Sequence, residues 1–213
     1  MSNAPRLVLA SASPARAMLL RAAGVDFDIV PSDVDEDALT AAMPSDASVA
    51  DLVQVLANAK ADDVASRAPH ADCVIIGCDS MLEFDGRAHG KPLTAEAATA
   101  RWQRMRGHTG VLHTGHRVVR IQSGLAVAAA STVVATEVDF ADVTDAEINA
   151  YVATGEPLQV AGAFTLDSKG AAFIRGVRGD HANVVGLSIA ALRLLMHEVG
   201  VAWTDLWEST QGR

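Results

Sequence analysis

Short apolar runs alternate with longer amphipathic segments along the 213-residue chain. Residues 7–10 and 73–76 are apolar runs of strand length, and the second is rich in β-branched side chains. Apolar positions at helical spacing predict helices from residue 14 to about residue 23 and from about residue 48 to residue 67. This interleaved order predicts an α/β fold with a mixed sheet rather than a doubly wound parallel one.

The second half of the chain continues the mixed pattern. A helix is predicted from Thr94 to about residue 106, and a long hairpin over residues 110–141. Two further helices are predicted over residues 144–155 and 187–199, the first of them opening with a capping box. No Pro-rich or Ser-rich linker, low-complexity tract or internal repeat divides the sequence. We therefore expect one domain.

A carboxylate follows the apolar run at 73–76. We expect this strand to stop at Gly77 and to deliver Asp79 to an edge of the sheet, where ligands bind in open α/β sheets. Asp85-Gly86 is a strong hairpin signal that returns Lys91 toward Asp79. An acid and an ammonium group at one site suit a metal-bound polyphosphate, because one binds the cation or polarises water and the other neutralises phosphate charge. A surface salt bridge is the alternative.

Ser11, Ser13 and Arg16 surround the start of the first predicted helix. Ser13 is placed to cap this helix, and Pro14 occupies its first position. Serine hydroxyls, backbone N–H groups and the helix dipole all favour an anion here. Arg16 lies in the first turn, where a cation is unfavourable unless an anion lies nearby. The segment predicts a phosphate cradle, with a plain helix cap as the alternative.

Six sequence blocks occur in a characteristic order. They are Leu9-Ala10-Ser11-Ala12-Ser13-Pro14-Ala15-Arg16, Gly77-Cys78-Asp79-Ser80 with Gly90-Lys91-Pro92, residues 107–115, residues 151–155, Ala161-Gly162-Ala163-Phe164, and Asn183-Val184-Val185-Gly186-Leu187. In this order they resemble the Maf family, nucleoside triphosphate pyrophosphatases first described as septum-formation inhibitors. The resemblance implies a two-lobed mixed-sheet α/β fold of the inosine-triphosphatase type with flanking helices. Residues 1–213 would form one such domain, with the active-site cleft between its lobes.

The resemblance also implies a reaction. A nucleoside triphosphate would be hydrolysed to the monophosphate and pyrophosphate by a homodimeric enzyme with a divalent cation, Mg²⁺ or Mn²⁺, and modified nucleotides and a link to cell-division arrest are part of this expectation. Asp79 and Lys91 would be catalytic, and Glu36 and Asp79 would hold the cation. The substrate-binding residues would be Ser11, Ser13, Arg16, Lys60, Ser80 and Asp167.

Two of these residues have simpler alternative explanations. Glu36 precedes a weakly predicted helix over residues 37–43, and acidic residues favour a helix start. Lys60 lies beside the apolar stripe of its predicted helix, where a lysine often covers the edge of the core with its aliphatic stem.

Two departures from the family pattern affect substrate choice. Ala15 stands where the family often has an arginine or a bulky residue, so one phosphate or base contact is lost. Asp167 stands where the branch resembling dTTP/UTP pyrophosphatases has glutamine and the 7-methyl-GTP branch has glutamate. A carboxylate cannot donate a hydrogen bond to a base carbonyl as an amide does. The sequence therefore leaves the preferred base open.

Composition limits the classes of partner. The net charge of -9, from 17 basic and 26 acidic residues, argues against a nucleic-acid surface. The sequence has no apolar run of 18 or more residues and no basic leader with a long apolar core, so we expect a cytoplasmic protein without a membrane partner.

Cysteines and histidines do not suggest a metal or redox centre. Cys73 and Cys78 lie roughly 16 Å apart on one predicted strand, at about 3.3 Å per residue, which is too far for a disulfide. Three histidines cluster at 108, 113 and 116, but His113 would oppose the other two on a strand, whereas zinc needs its ligands together.

Two other functions remain as alternatives. One is a nucleotide-binding regulator of septation with little turnover, against which the retained Asp79, Lys91 and Arg16 argue. The other is a purine-selective relative of inosine triphosphatase, which the Ser11 to Pro14 segment and the block at 151–155 disfavour.

Overall fold

A computed structural model describes residues 5–67 and 72–207. The strands in these ranges are β1 (Arg6–Leu9), β2 (Asp28–Ile29), β3 (Cys73–Phe84), β4 (Arg87–His89), β5 (Thr109–Gln122), β6 (Leu125–Phe140) and β7 (Ile174–Arg178). The α-helices are α1 (Pro14–Ala22), α2 (Glu36–Ala41), α3 (Val49–Arg67), α4 (Ala95–Met105), α5 (Asp145–Ala153), α6 (His181–Val185) and α7 (Ile189–Glu198). Within the described ranges, no helix combines the length and apolarity needed to cross a membrane.

All seven strands belong to one mixed sheet. The order is β2-β1-β3-β5-β6-β7, and β4 pairs with the far end of β3. β1 is parallel to both β2 and β3, whereas β3, β5, β6 and β7 follow one another in antiparallel pairs. The predicted mixed-sheet α/β fold with flanking helices is confirmed, and the division into two lobes stays a prediction.

Apolar side chains form three clusters on this sheet. The first packs α1 and α7 against β1 and β3. The second is aromatic and is centred on Trp102, whose ring makes edge contacts with Phe140, Tyr151 and Phe173. The third lies where α3 meets β1, β3 and β5. Helices therefore pack against the sheet and position the strands that carry the candidate site.

Local signals set several helix ends as predicted. The Ser13 side chain accepts a hydrogen bond from the Arg16 backbone N–H at 3.4 Å and caps α1. Gly24 follows this helix with φ +74°, a left-handed conformation that favours glycine. Thr144 and Glu147 form the expected capping box of α5. The long hairpin is also confirmed, since β5 and β6 pair along most of their length.

The predicted end of β3 at Gly77 is wrong. β3 continues to Phe84, and Asp79 lies opposite Gly115 of β5 rather than at a strand end. A Cβ atom at Gly77 would lie 2.4 Å from the Ala57 carbonyl oxygen, and one at Gly115 would lie 2.3 Å from the Val53 carbonyl oxygen. These glycines do not end strands: they let α3 lie directly on β3 and β5.

We expect Gly77→Ala to destabilise the fold by at least about 2 kcal/mol, because its methyl group would collide with the backbone of α3. Chemical unfolding at neutral pH measures this cost. Gly176→Ala is the matched strand control, since a Cβ there would meet no atom within 4 Å in the described part of the chain. Equal midpoints for the two variants would contradict the close packing of α3.

Candidate active site

One cavity gathers every site residue that the sequence predicted. Its volume is about 1310 Å³. The predicted residues that line it are Ser11, Ser13, Arg16, Glu36, Lys60, Asp79, Ser80, Lys91 and Asp167. They come from separate parts of the sequence, so the fold brings them together.

A buried ion pair lies at the centre of the cavity wall. The Lys60 ammonium nitrogen is 2.6 Å from Asp79 Oδ1 and 2.8 Å from Glu36 Oε1. The side chains of Lys60 and Asp79 are each 9% exposed, whereas that of Glu36 is half exposed. Since both carboxylates contact the same nitrogen, they lie within reach of a single cation.

The surroundings of Asp79 favour its protonated form more than water does. Burial raises the pKa of Asp79, the charges of Lys60 and Arg16 oppose this increase, and the nearby Glu36 carboxylate adds to it. Asp79 Oδ2 is buried and has no hydrogen-bond partner among the described residues. One oxygen of this carboxylate is therefore held by Lys60, while the other is available to a water molecule or a cation.

Arg16 is fixed by three hydrogen bonds from its guanidinium group. It donates to Ser11 Oγ and Ser80 Oγ, each at 3.1 Å, and to the Gly186 carbonyl oxygen at 2.8 Å. Only 8% of the residue is exposed, and it lies in the first turn of α1 beside the cap residue Ser13. This cation is thus held near the N-terminus of α1, where an anion bound between them would offset its unfavourable interaction with the helix dipole.

Sequence reasoning missed a polar support behind Ser80. Ser80 Oγ and Thr114 Oγ1 are 2.9 Å apart, and Thr114 Oγ1 donates to the Asn183 carbonyl oxygen. Thr114 and Asn183 are fully buried, and the Asn183 amide donates to Leu112, Val134 and Thr136. Both residues fall within the quoted sequence blocks, but buried polar groups on strands give no separate local signal.

Lys91 forms no ion pair with Asp79 among the described residues. The predicted hairpin at residues 85–86 is present, and Lys91 lines the cavity as an exposed residue. The ammonium group that contacts Asp79 is instead that of Lys60. The sequence could not rank the two lysines, because the contact depends on how closely α3 approaches β3.

Asp167 is exposed in a loop on the cavity wall. Behind this loop lies Glu156, which the sequence analysis did not single out although it directly follows the block at 151–155. Its carboxylate accepts hydrogen bonds from several residues between 165 and 170. Only the folded loop brings these donors together, so the sequence alone gave no indication of this role.

The histidines and cysteines lie outside this arrangement. His116 is fully buried, and burial lowers its pKa to about 4, so the ring is neutral and its Nε2 accepts the Ser188 N–H. His113 instead pairs with Glu83 at 2.8 Å. Cys73 and Cys78 are free and buried, and burial raises the pKa of Cys78 to about 11. Neither a neutral His116 nor a protonated Cys78 supplies charge to the cavity.

The donor set at the centre of the cavity is compatible with a divalent cation. Among the described residues, no three His, Cys, Asp or Glu side chains are grouped closely enough to hold a metal by themselves. Two carboxylates with one unpartnered oxygen nevertheless suit Mg²⁺ or Mn²⁺, which keep water ligands and share phosphate oxygens. Glu36 and Asp79 would hold such an ion together with the substrate.

Comparison with known proteins identifies the family. The model of the Maf-like protein family matches residues 6–199. The chain belongs to the Maf family. It is 52% identical over 203 residues to the nucleoside triphosphate pyrophosphatase of Nocardia farcinica, covering 94% of this chain and 96% of that protein. It is also 52% identical over 202 residues to the protein of the same name from Streptomyces coelicolor, covering 95% and 94%.

Two solved structures have a more distant likeness. The Ham1 protein of Staphylococcus aureus is 13% identical and has a TM-score of 0.43, covering 90% of this Maf-family chain and 98% of that chain. The nucleoside-triphosphatase (dITP/XTP pyrophosphatase) from Mycobacterium abscessus is 12% identical, with a TM-score of 0.36 and coverages of 90% and 93%. Since both TM-scores are below 0.5, no property of the site is transferred from them.

We expect Lys60→Met to cost about 3 kcal/mol of unfolding free energy at pH 7, because it leaves the buried Asp79 without its closest counter-charge. Lys60→Met combined with Asp79→Asn should recover most of that loss, since no buried charge then lacks a partner. Urea unfolding of both variants measures the coupling. The exposed Lys169→Met is the control, and a double variant no more stable than Lys60→Met would contradict the prediction.

Proposed function

We propose that this Maf-family protein is a metal-dependent nucleoside triphosphate pyrophosphatase. It would hydrolyse ribo- or deoxyribonucleoside triphosphates, modified or non-standard ones included, to the monophosphate and pyrophosphate. The observation that carries this proposal is Asp79, a buried carboxylate with one oxygen that has no hydrogen-bond partner among the described residues, in the same cavity as Arg16, Lys60 and the N-terminus of α1. The names of the close relatives from Nocardia and Streptomyces support the same activity.

The triphosphate would lie between the start of α1 and the Lys60 ammonium. Arg16 is already oriented by Ser11 and Ser80, so little side-chain entropy is lost when its guanidinium group binds phosphate. Lys91 at the exposed side of the cavity adds a second ammonium group. These cations would stabilise the charge that develops on the α-phosphate and on the departing pyrophosphate.

Asp79 would act as the base. Its unpartnered Oδ2 would accept a proton from water as the water oxygen forms a bond to the α-phosphorus. The bond from this phosphorus to the α,β-bridging oxygen breaks, and pyrophosphate leaves with the electron pair. A cation held by Glu36 and Asp79 would lower the pKa of a bound water and neutralise phosphate charge. A base whose pKa is raised by burial is better matched to neutral pH than an exposed aspartate.

The wall carrying Asp167 would face the base or ribose. Its exposed carboxylate is an acceptor when ionised, so it would select for donor groups on the nucleotide. The homodimer, the cytoplasmic location and the absence of nucleic-acid and membrane partners stay predictions from the sequence.

We expect Asp79→Asn to fold and to bind nucleotide, but to lose at least about a hundredfold in turnover, as removal of a positioned base does. Pyrophosphate release from a panel of standard and modified triphosphates with Mg²⁺, Mn²⁺ and Co²⁺ measures this. The control is Asp62→Asn, an exposed carboxylate on α3 outside the cavity. Wild-type binding without pyrophosphate release would instead favour a nucleotide-binding regulator, and an Asp79→Asn rate within a few-fold of wild type would refute the role of Asp79.

Arg16→Ala and Asp167→Gln should have different effects on substrate selectivity. Removing the Arg16 guanidinium should weaken all nucleotides alike, because phosphates carry no base identity. Asp167→Gln should change the preference among bases, since an amide can donate as well as accept. Ratios of kcat/KM across one substrate panel, read as free-energy differences, measure both effects. Changed selectivity in Arg16→Ala, with a uniform loss in Asp167→Gln, would reverse the two roles.

A further inference from the structure

A single carboxylate organises the loop that carries Asp167. Glu156 follows α5 and receives five hydrogen bonds, four of them from residues 165–170. At Oε1 the donors are Thr165 Oγ1 at 2.5 Å, the Gly170 N–H at 3.0 Å and the Tyr151 hydroxyl at 3.1 Å, and at Oε2 they are Ser168 Oγ at 2.8 Å and the Lys169 N–H at 3.3 Å. We propose that Glu156 is a positioning residue that sets base selectivity by holding this loop in place.

The proposal rests on the proposed nucleotide-hydrolysing function and adds a determinant of its specificity. Thr165, Asp167 and Ser168 line the cavity, whereas Glu156 is not among the lining residues. Glu156 therefore has no direct contact with the space that a nucleotide would occupy. Any influence on the substrate has to pass through the loop.

Close packing shows that the loop has little freedom. A Cβ atom at Gly170 would lie 2.5 Å from the Tyr151 hydroxyl oxygen and 2.7 Å from both the N and O atoms of Thr165. A larger residue at this position would push the loop away from the Glu156 carboxylate. The backbone N–H of Gly170 reaches Glu156 because the side chain is absent. The contact between the Glu156 carboxylate and the Gly170 N–H therefore depends on a glycine at position 170.

The charge of Glu156 suits these donors. Burial alone would raise its pKa, but hydrogen bonds from Thr165, Gly170, Ser168 and Lys169 outweigh burial and lower the pKa to about 2. The side chain is therefore an ionised, acceptor-only group at neutral pH. It also forms charge-assisted hydrogen bonds, which are stronger than neutral ones.

Glutamine at position 156 would retain the shape of the side chain. It would replace one acceptor oxygen of the carboxylate by an NH₂ donor. An amide has one acceptor oxygen, and its NH₂ group would face either the Ser168 and Lys169 donors or the Thr165 and Gly170 donors. Either orientation places the NH₂ group against one backbone N–H, that of Lys169 or that of Gly170, whereas the Ser168 and Thr165 hydroxyls can rotate to accept. Glu156→Gln should thus loosen the loop while leaving Arg16, Lys60 and Asp79 in place, since these lie on other elements of the fold.

The test measures binding and turnover separately on one set of bases. Dissociation constants for α,β-methylene triphosphate analogues with different bases report selectivity without any hydrolysis. For Glu156→Gln we expect the ratio between the best and worst base to shrink by at least about fivefold, and hydrogen exchange at residues 169–170 to become faster. In turnover assays the best substrate should show a lower kcat/KM because its KM increases, with kcat changed by less than about threefold.

Glu147→Gln is the matched control. Glu147 also accepts backbone and hydroxyl hydrogen bonds, in the capping box at the other end of α5, and lies outside the cavity. It should lower the unfolding midpoint only slightly, because a glutamine also completes a capping box, and it should leave the base ratios unchanged. Equal loss of selectivity in both variants would show a general effect of stability and would overturn the role of Glu156.

The remaining outcomes separate the two proposals. If wild-type protein releases no pyrophosphate yet binds analogues selectively, the proposed activity is wrong. The ratios of dissociation constants then still test whether Glu156 sets base selectivity. A folded Glu156→Gln with base ratios within about twofold of wild type would refute the inference, as would wild-type protein that binds all bases alike. If Glu156→Gln does not fold, Ser168→Ala removes one donor to Oε2, and unchanged ratios in that variant would equally overturn it.

Discussion

The position of α3 on the sheet is the constraint on which the site depends. Gly77 and Gly115 remove the side chains that would hold this helix away from β3 and β5. Lys60, on the face of α3 that meets the sheet, can then reach Asp79 in the middle of a strand. Burying Asp79 without a counter-charge would cost several kcal/mol, which Lys60 offsets, while Lys60 itself also pairs with Glu36. Two glycines thus determine whether a charged site forms in this sheet.

A buried ion pair of this kind is weak evidence for stability, since an apolar pair of similar volume often does as well. The buried Asp79 oxygen without a hydrogen-bond partner among the described residues is also unfavourable for stability, because buried polar atoms in proteins are nearly always hydrogen-bonded. The Arg16 guanidinium lies in the first turn of α1, where the dipole opposes a cation. These three features occur in one cavity, where a water molecule or a cation at Asp79 and a phosphate group at Arg16 would compensate for them.

The sequence predicted those parts of the structure that depend on neighbouring residues. Ser13 and Thr144 could be recognised as helix starts because a cap side chain contacts the backbone N–H only three residues further on. The long hairpin was predictable because its two strands are neighbours in the sequence. Gly77 was misread as the end of a strand, since the helix that it accommodates arrives from a different part of the chain. For the same reason the Lys60 to Asp79 contact could not be ranked above Lys91. Local patterns and the family resemblance together named residues that line one cavity, but they did not predict which of these residues touch.

The two ends of the cavity are built by independent means. The end where phosphate is proposed to bind carries Arg16, which is held by Ser11, Ser80 and the Gly186 carbonyl, all belonging to the main body of the fold. The end that carries Asp167 is held by hydrogen bonds that converge on Glu156. Under the proposed function, changes in the loop would therefore alter which base is accepted while the groups proposed to bind the phosphates stay in place. An aspartate at position 167 is consistent with this separation, because it would alter base recognition without changing Lys60 or Asp79.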